Sequence, residues 1–371
     1  MRRSELIRSA LVAQACAVGA LACAQESAQS SPADYQKFNA VRAFIQERNA
    51  RDYAIAGANA IDEGKYVELG GIDQWITIRG ENRDNPVLLF LHGGPGDATN
   101  PWSYAIFRSW LRDFTVVQWD QRGTGRTLAR SGPSVASTIT VERMVADGIE
   151  LTELLRESLG KDKVIVVGHS WGSILAVRMV KSRPELFHAY VGTGQVADQT
   201  RNFVVAYDEL LRNAESLGER RALDELRAIG RPPFTDGRSF AVQRKWANQF
   251  EGADRFIAMM LGLGYFAPGY SLQDVHDWLD GQQLTAERLV PLTSELTIED
   301  LGGRFELPVF VIQGTEDFTT PTILARELVE TIEAPRKQLV LIDGGHFAVF
   351  MEPEAFLQEL VRRVRPLALT R

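Results

Sequence analysis

The chain has 371 residues, 45% of them hydrophobic and 24% charged, so it can bury a large core as one big domain or as a core with an insertion. A net charge of −7 argues against nucleic acid and against an anionic membrane surface as partners. No apolar stretch in the body of the chain approaches the roughly 20 residues that span a bilayer.

Met1-Arg2-Arg3 and Arg8 give a basic start, followed by a small apolar run from Ala10 to Ala24. Ala22-Cys23-Ala24 offers an A-x-A cleavage pattern ahead of Gln25, so residues 1–24 read as a signal peptide and the expected location is secreted or periplasmic. Both cysteines, Cys16 and Cys23, fall inside this segment, and a chain cut after Ala24 carries no thiol. Ala20-Leu21-Ala22-Cys23 also resembles a lipoprotein cleavage box, in which Cys23 would carry a lipid anchor. Residues 25–33, rich in Gln, Ser and Ala, read as a disordered spacer.

Phe38, Val41, Phe44 and Ile45 recur at helical spacing, which predicts a helix from about Asp34 to Ala50 packed on the body. Lys65–Leu69 and Gln74–Arg79 read as two strands joined through Gly70-Gly71. Further strands are expected at Pro86–His92, Phe114–Trp119, Lys163–Val167, Ala189–Thr193, Pro308–Gln313 and Gln338–Ile342. These runs are short, continuous and apolar, as in parallel strands buried on both faces. Amphipathic stretches alternate with them at Val141–Leu159, Ser173–Ser182, Ile323–Ile332 and Pro353–Val364. The alternation predicts a mostly parallel, doubly wound α/β sheet. Residues 196–301 have helical periodicity and no convincing strand, so they read as a helical cap. The core then comprises residues 34–195, with the N-terminal helix, and residues 302–371.

Gly168-His169-Ser170-Trp171-Gly172 follows one of the buried strands and precedes a helix, the pattern of a nucleophile elbow. A serine hydroxyl needs a base, and the chain has five histidines. His346, just beyond the last strand, can face the same crevice as Ser170. Asp317, beyond the strand ending at Gln313, is placed to orient the imidazole. The loop His92-Gly93-Gly94-Pro95-Gly96 lets backbone N–H groups approach a ligand oxygen. Gly94 and Trp171 are the expected oxyanion donors, with Gly93 as an additional candidate. This chemistry calls for no cofactor and no metal. The expected partner is a small molecule or a short peptide.

His92–Gly96, Asp120-Gln121-Arg122-Gly123-Thr124-Gly125-Arg126-Thr127 and Gly168–Ser173 together resemble the prolyl aminopeptidase (proline iminopeptidase) family of α/β-hydrolases. The similarity runs from about Tyr66 to Leu367. It implies an α/β-hydrolase fold with a helical cap, with Ser170 as nucleophile, Asp317 as acid, His346 as base, and release of an N-terminal proline or similar small residue. It also makes Asp120–Arg126 a structural turn in which Arg122 and Arg126 form bracing ion pairs.

The departure concerns the substrate. The family binds the free amine with cap glutamates, one commonly in a Trp-Glu dipeptide, and this chain has no Trp-Glu. Asp208, Glu209 and Glu251 are the carboxylates available for that part, with Glu209 and Glu251 as the substrate-binding candidates; otherwise they are solvated helix faces. Trp246, Phe250, Phe256, Met259, Met260, Tyr265 and Phe266 either roof the site or pack the cap helices together. A carboxylesterase or small-amide hydrolase with the same triad is the alternative function. A non-catalytic binding module on this fold is disfavoured by the intact triad.

Overall fold

The computed structural model describes residues 32–234 and 237–369. The signal-peptide reading, both cysteines and nearly all of the spacer lie outside these residues. Helix α1 (Pro32–Asp52) leads into a hairpin of β1 (Ile61–Leu69) and β2 (Ile72–Gly80). Then follow β3 (Val87–Leu91), α2 (Asn100–Ile106), β4 (Thr115–Trp119), α3 (Gly125–Ser131) and α4 (Val141–Leu159). Next come β5 (Val164–His169), α5 (Trp171–Ser182) and β6 (Phe187–Thr193). Six helices intervene: α6 (Gln199–Leu217), α7 (Arg220–Ile229), α8 (Gly237–Glu251), α9 (Ala253–Tyr265), α10 (Leu272–Thr293) and α11 (Ile298–Leu301). The chain finishes with β7 (Val309–Gly314), α12 (Thr322–Thr331), β8 (Lys337–Ile342), α13 (Ala348–Met351) and α14 (Pro353–Glu359). Among the described residues, no helix is long and apolar enough to cross a membrane.

The eight strands form one sheet in the order β1-β2-β4-β3-β5-β6-β7-β8. The β1–β2 and β2–β4 pairs are antiparallel and the others parallel, as the continuous apolar runs from β3 onward predict. Gly70 and Gly71 both have positive φ, 56° and 76°, and join Leu69 to its partner Ile72 in the tightest hairpin. β1 begins at Ile61, four residues before the expected start, because its alternating residues continue to pair along β2 as far as Gly80. The sheet grows from β3 to β4 on one side and to β5 on the other. That reversal opens a crevice at the carboxyl ends of β3 and β5.

Apolar side chains cover both faces of the sheet. Trp119, Met144, Leu151 and Ile174 lie in the core on one face, and Phe90, Trp102, Trp110 and Phe350 lie in that on the other. Helix α4 has the predicted bounds: Thr140 caps its start by accepting from Arg143 N, and Gly160 at φ 62° ends it.

Helix α1 is present and packs on the body, though not through all four apolar residues. Val41 and Phe44 are 54% and 63% exposed. The helix docks instead through a polar stripe: Arg42 donates to the carbonyls of Tyr265 and Tyr270, Gln46 to those of Ala267 and Tyr270, and Asn49 to that of Phe266. These acceptors lie at and just beyond the end of α9, where a helix leaves its last carbonyls without internal partners.

Candidate active site

β5 ends at His169 and α5 begins at Trp171, so Ser170 makes the turn alone. Its φ of 53° is the one positive value on a non-glycine residue among those described. Such a conformation costs on the order of 1–3 kcal/mol and persists only where its surroundings over-determine it. Here Ser170 N donates to Thr193 O at 3.0 Å, while its carbonyl accepts from Ser173 N at 2.8 Å and Ser173 Oγ at 2.6 Å. Gly172 lets α5 lie against the end of β3: a Cβ there would stand 2.2 Å from the Leu91 carbonyl oxygen.

Asp317 and His346 come from the loops after β7 and β8. His346 Nδ1 donates to the Asp317 carboxylate at 3.1–3.2 Å, with Thr320 Oγ at 3.1 Å beside it. Asp317 is held from the other side by Gln313 Nε2 (2.8 Å), Thr319 N (3.0 Å), Thr320 N (2.7 Å) and Thr320 Oγ (2.9 Å). Burial opposes protonation of His346, yet the charge and hydrogen bond of Asp317, with Glu251 behind, raise its pKa above the ordinary histidine value. Every ring hydrogen bond of His346 among the described residues is on Nδ1, which leaves Nε2 for proton transfer. The ring centroid lies 4.9 Å from that of His169, whose Nε2 donates to the His346 carbonyl. No hydrogen bond joins Ser170 Oγ to the imidazole in this state. Catalytic bonds of this kind often tighten only around a substrate.

The loop after β3 faces the elbow. The N–H groups of Gly94 and Trp171 have no acceptor among the described residues, and both residues line one cavity with Ser170. Gly93 does not line it and packs against the elbow, where a Cβ would meet His169 Nδ1 at 2.8 Å. Gln121 joins the two arms: its Nε2 donates to His92 O, its Oε1 accepts from Trp171 Nε1, and its N–H donates to His92 Nε2. His92 is buried, and desolvation pushes its pKa down to about 4, so the ring is neutral.

The rest of the turn carries the two arginines as braces. Arg122 pairs with Asp147, both buried, and donates to the Leu69 and Gly70 carbonyls. Arg126 pairs with Asp274 of α10 at 2.9 Å and stacks over Trp75 and Tyr270, joining turn to cap.

The Ser170 cavity measures about 260 Å³ and opens beneath α6, α8 and α10. Phe203, Phe240, Val290 and Phe318 supply its apolar wall, and Gln199, Asn202, Gln243, Arg244 and Thr319 its polar one. The aromatic and methionine residues from Trp246 to Phe266 do not line it and take the packing role instead. Trp246 packs in the cap's own cluster with Phe250 against it, whereas Phe256 and Met260 pack with Trp102 and Phe350 on the sheet.

The two candidate cap glutamates differ. Glu209 is not brought to the cavity; it pairs with Arg212 on the same helix, one turn away. Glu251, the last residue of α8, packs against Gly345 and reaches the Asp317 loop, where it accepts from Phe318 N at 2.7 Å and Thr319 Oγ at 3.2 Å. Burial and then the Asp317 charge push its pKa up to about 7. Gln313, Thr320 and Gln121 escaped the sequence reading. A glutamine closing an otherwise apolar strand at Gln313 was the one visible signal.

A family model described as the alpha/beta hydrolase fold matches residues 86–353. A probable aminopeptidase of Bacillus subtilis, YbaC, is 28% identical over 306 residues, covering 81% of this chain and 96% of its own. The proline iminopeptidase of Neisseria gonorrhoeae is 26% identical over 308 residues, covering 76% and 90%. The crystal structure of a Mycobacterium smegmatis proline iminopeptidase has the same fold at a TM-score of 0.59 and 20% identity, covering 83% of this chain and 99% of that one. With a family match over most of its length and a sheet, crevice and cap of this form, the chain belongs to the α/β-hydrolase fold family.

Proposed function

We propose that the chain is a serine hydrolase that releases N-terminal proline, or a similar small residue, from short peptides through an acyl-enzyme. Ser170 attacks the carbonyl while His346 Nε2 takes its proton and passes it to the leaving amine. Asp317 fixes the ring and stabilises the imidazolium. The Gly94 and Trp171 N–H groups receive the oxyanion. Water then attacks the ester, His346 again serving as base, and frees the amino acid. The observation that carries the reading is a strained Ser170 at the sheet's switch point, with an Asp317–His346 pair delivered from two neighbouring strand ends.

Two things support the aminopeptidase form. Relatives with that name align over most of the chain, and Glu251 lies one hydroxyl behind the cavity wall at Thr319. A substrate ammonium near Glu251 would favour its charged form. One observation favours ester or small-amide hydrolysis instead: among the described residues, no carboxylate lines the cavity.

Turnover of proline p-nitroanilide and of p-nitrophenyl acetate separates the two. The expected result is anilide release by the wild type. In Ser170→Ala, kcat should fall by up to about 10⁶-fold with the melting temperature retained. Ester turnover without anilide release removes the aminopeptidase reading, and full activity in Ser170→Ala ends the serine mechanism.

A further inference from the structure

The cavity at Ser170 has one charged side chain on its wall among the described residues, and it is a cation, Arg244. Arg244 lies on α8, seven residues before Glu251 and so on the same face. A guanidinium has five N–H donors. Its one hydrogen bond among the described residues runs from Nη1 to Thr319 Oγ at 3.1 Å, and no carboxylate pairs with it. Glu251 makes no ion pair with it among the described residues and meets it only through the Thr319 hydroxyl, which accepts from Arg244 and donates to Glu251. The charge of Arg244 reaches the catalytic pair, where it opposes protonation of His346.

Gln243, the adjacent residue, lines the same cavity but is 5% exposed and donates Nε2 to Phe203 O at 2.9 Å, whereas Arg244 is exposed. A single guanidinium fork matches a planar carboxylate in two parallel hydrogen bonds.

We propose that Arg244 binds a free carboxylate beyond the scissile bond. The preferred substrates are then dipeptide-sized, consistent with a cavity of about 260 Å³. This deepens the peptide-hydrolase reading above and rests on it.

The test compares kcat/KM for prolyl-glycine and prolyl-glycinamide, which differ only in the terminal charge. The wild type is expected to prefer the free acid by about tenfold to hundredfold, the range for a charge-assisted hydrogen bond. Arg244→Met should bring the ratio near one, and Arg244→Lys should keep part of it. Removing the cation should also move the acid limb of the kcat/KM profile to higher pH, since Arg244 opposes protonation of His346. An equal ratio in wild type and Arg244→Met overturns the assignment.

A second measurement does not depend on peptide turnover. N-acetylglycine should slow fluorophosphonate labelling of Ser170 in the wild type and not in Arg244→Met. Protection without cleavage of either proline peptide supports Arg244 and rejects the aminopeptidase reading. Protection equal in both proteins overturns the carboxylate site whatever the reaction.

Discussion

The strand-end floor of the cavity and the cap above it meet at Ser170 and are built on different terms. On the floor, backbone geometry leaves each group little choice. Ser170 is locked by three hydrogen bonds to its own peptide groups, α5 lies against β3 where a Cβ would be 2.2 Å from a carbonyl oxygen, and Asp317 accepts from four donors on three residues besides His346. In the cap, side chains carry the contact and keep some slack: Phe203 and Phe240 are 42% and 41% exposed, and Arg244 has one protein partner among the described residues. Bond-making needs positions held to a fraction of an ångström. Selection among substrates needs only side chains that can be exchanged, so one floor can serve many roofs.

Breaking the floor should therefore cost far more than trimming the roof. Asp317→Asn keeps an acceptor for the loop donors but removes the charge that holds His346 in its working tautomer. We expect kcat to fall about 10⁴-fold with little change in melting temperature. A fall of less than tenfold would mean that Asp317 serves only the loop. Gly172→Ala acts on the fold itself, forcing a methyl against the Leu91 carbonyl. It should destabilise by about 1–3 kcal/mol, read from denaturant midpoints. Phe240→Ala is the cap counterpart. Its half-exposed ring packs edge-on to Phe203 at 4.7 Å, so the loss should stay under about 1 kcal/mol and appear mainly in KM. Equal destabilisation by these two variants would erase the distinction between floor and roof.

The same distinction explains what could be read in the chain. Ser170, Asp317 and His346 stand just past buried strands, and a strand end is visible as an apolar run that stops. The Gly70-Gly71 turn and helix α4 were legible for similar reasons, because each residue's role is set by neighbours a few positions away. Gln121 and Arg244 carry no such mark. Their partners lie far along the chain: Gln121 meets Trp171, and Arg244 meets Thr319 only once the cap has folded over β7. Helix α1 shows the converse: its period was readable, but the carbonyls it meets lie more than 200 residues away, so its docking through Arg42, Gln46 and Asn49, with Val41 and Phe44 left exposed, was not.

Glu251 sits on the boundary between floor and roof, a cap residue whose carboxylate supports the Asp317 loop, and its substitution gives the smallest and most diagnostic effect. Its negative charge raises the His346 pKa, so Glu251→Gln should lower it. On the proposed mechanism the neutral imidazole is the base, so the rise of kcat/KM with pH should begin at lower pH in the variant, by less than about one unit. The stability effect has the opposite sign to that of a salt-bridged acid. Glu251 has a folded pKa of about 7, raised from 4.5 by burial and then by Asp317, so the folded state holds a proton that the unfolded chain has lost between those values. Its contribution is therefore most favourable at acid pH and declines as pH rises through that window. Melting temperatures of wild type and Glu251→Gln should diverge in favour of the variant between pH 5 and pH 8. If Glu251 also receives the substrate ammonium, proline anilide turnover falls in the variant more than ester turnover does. A profile that shifts with both substrates equally affected would keep Glu251 as a positioning residue and exclude it from substrate binding.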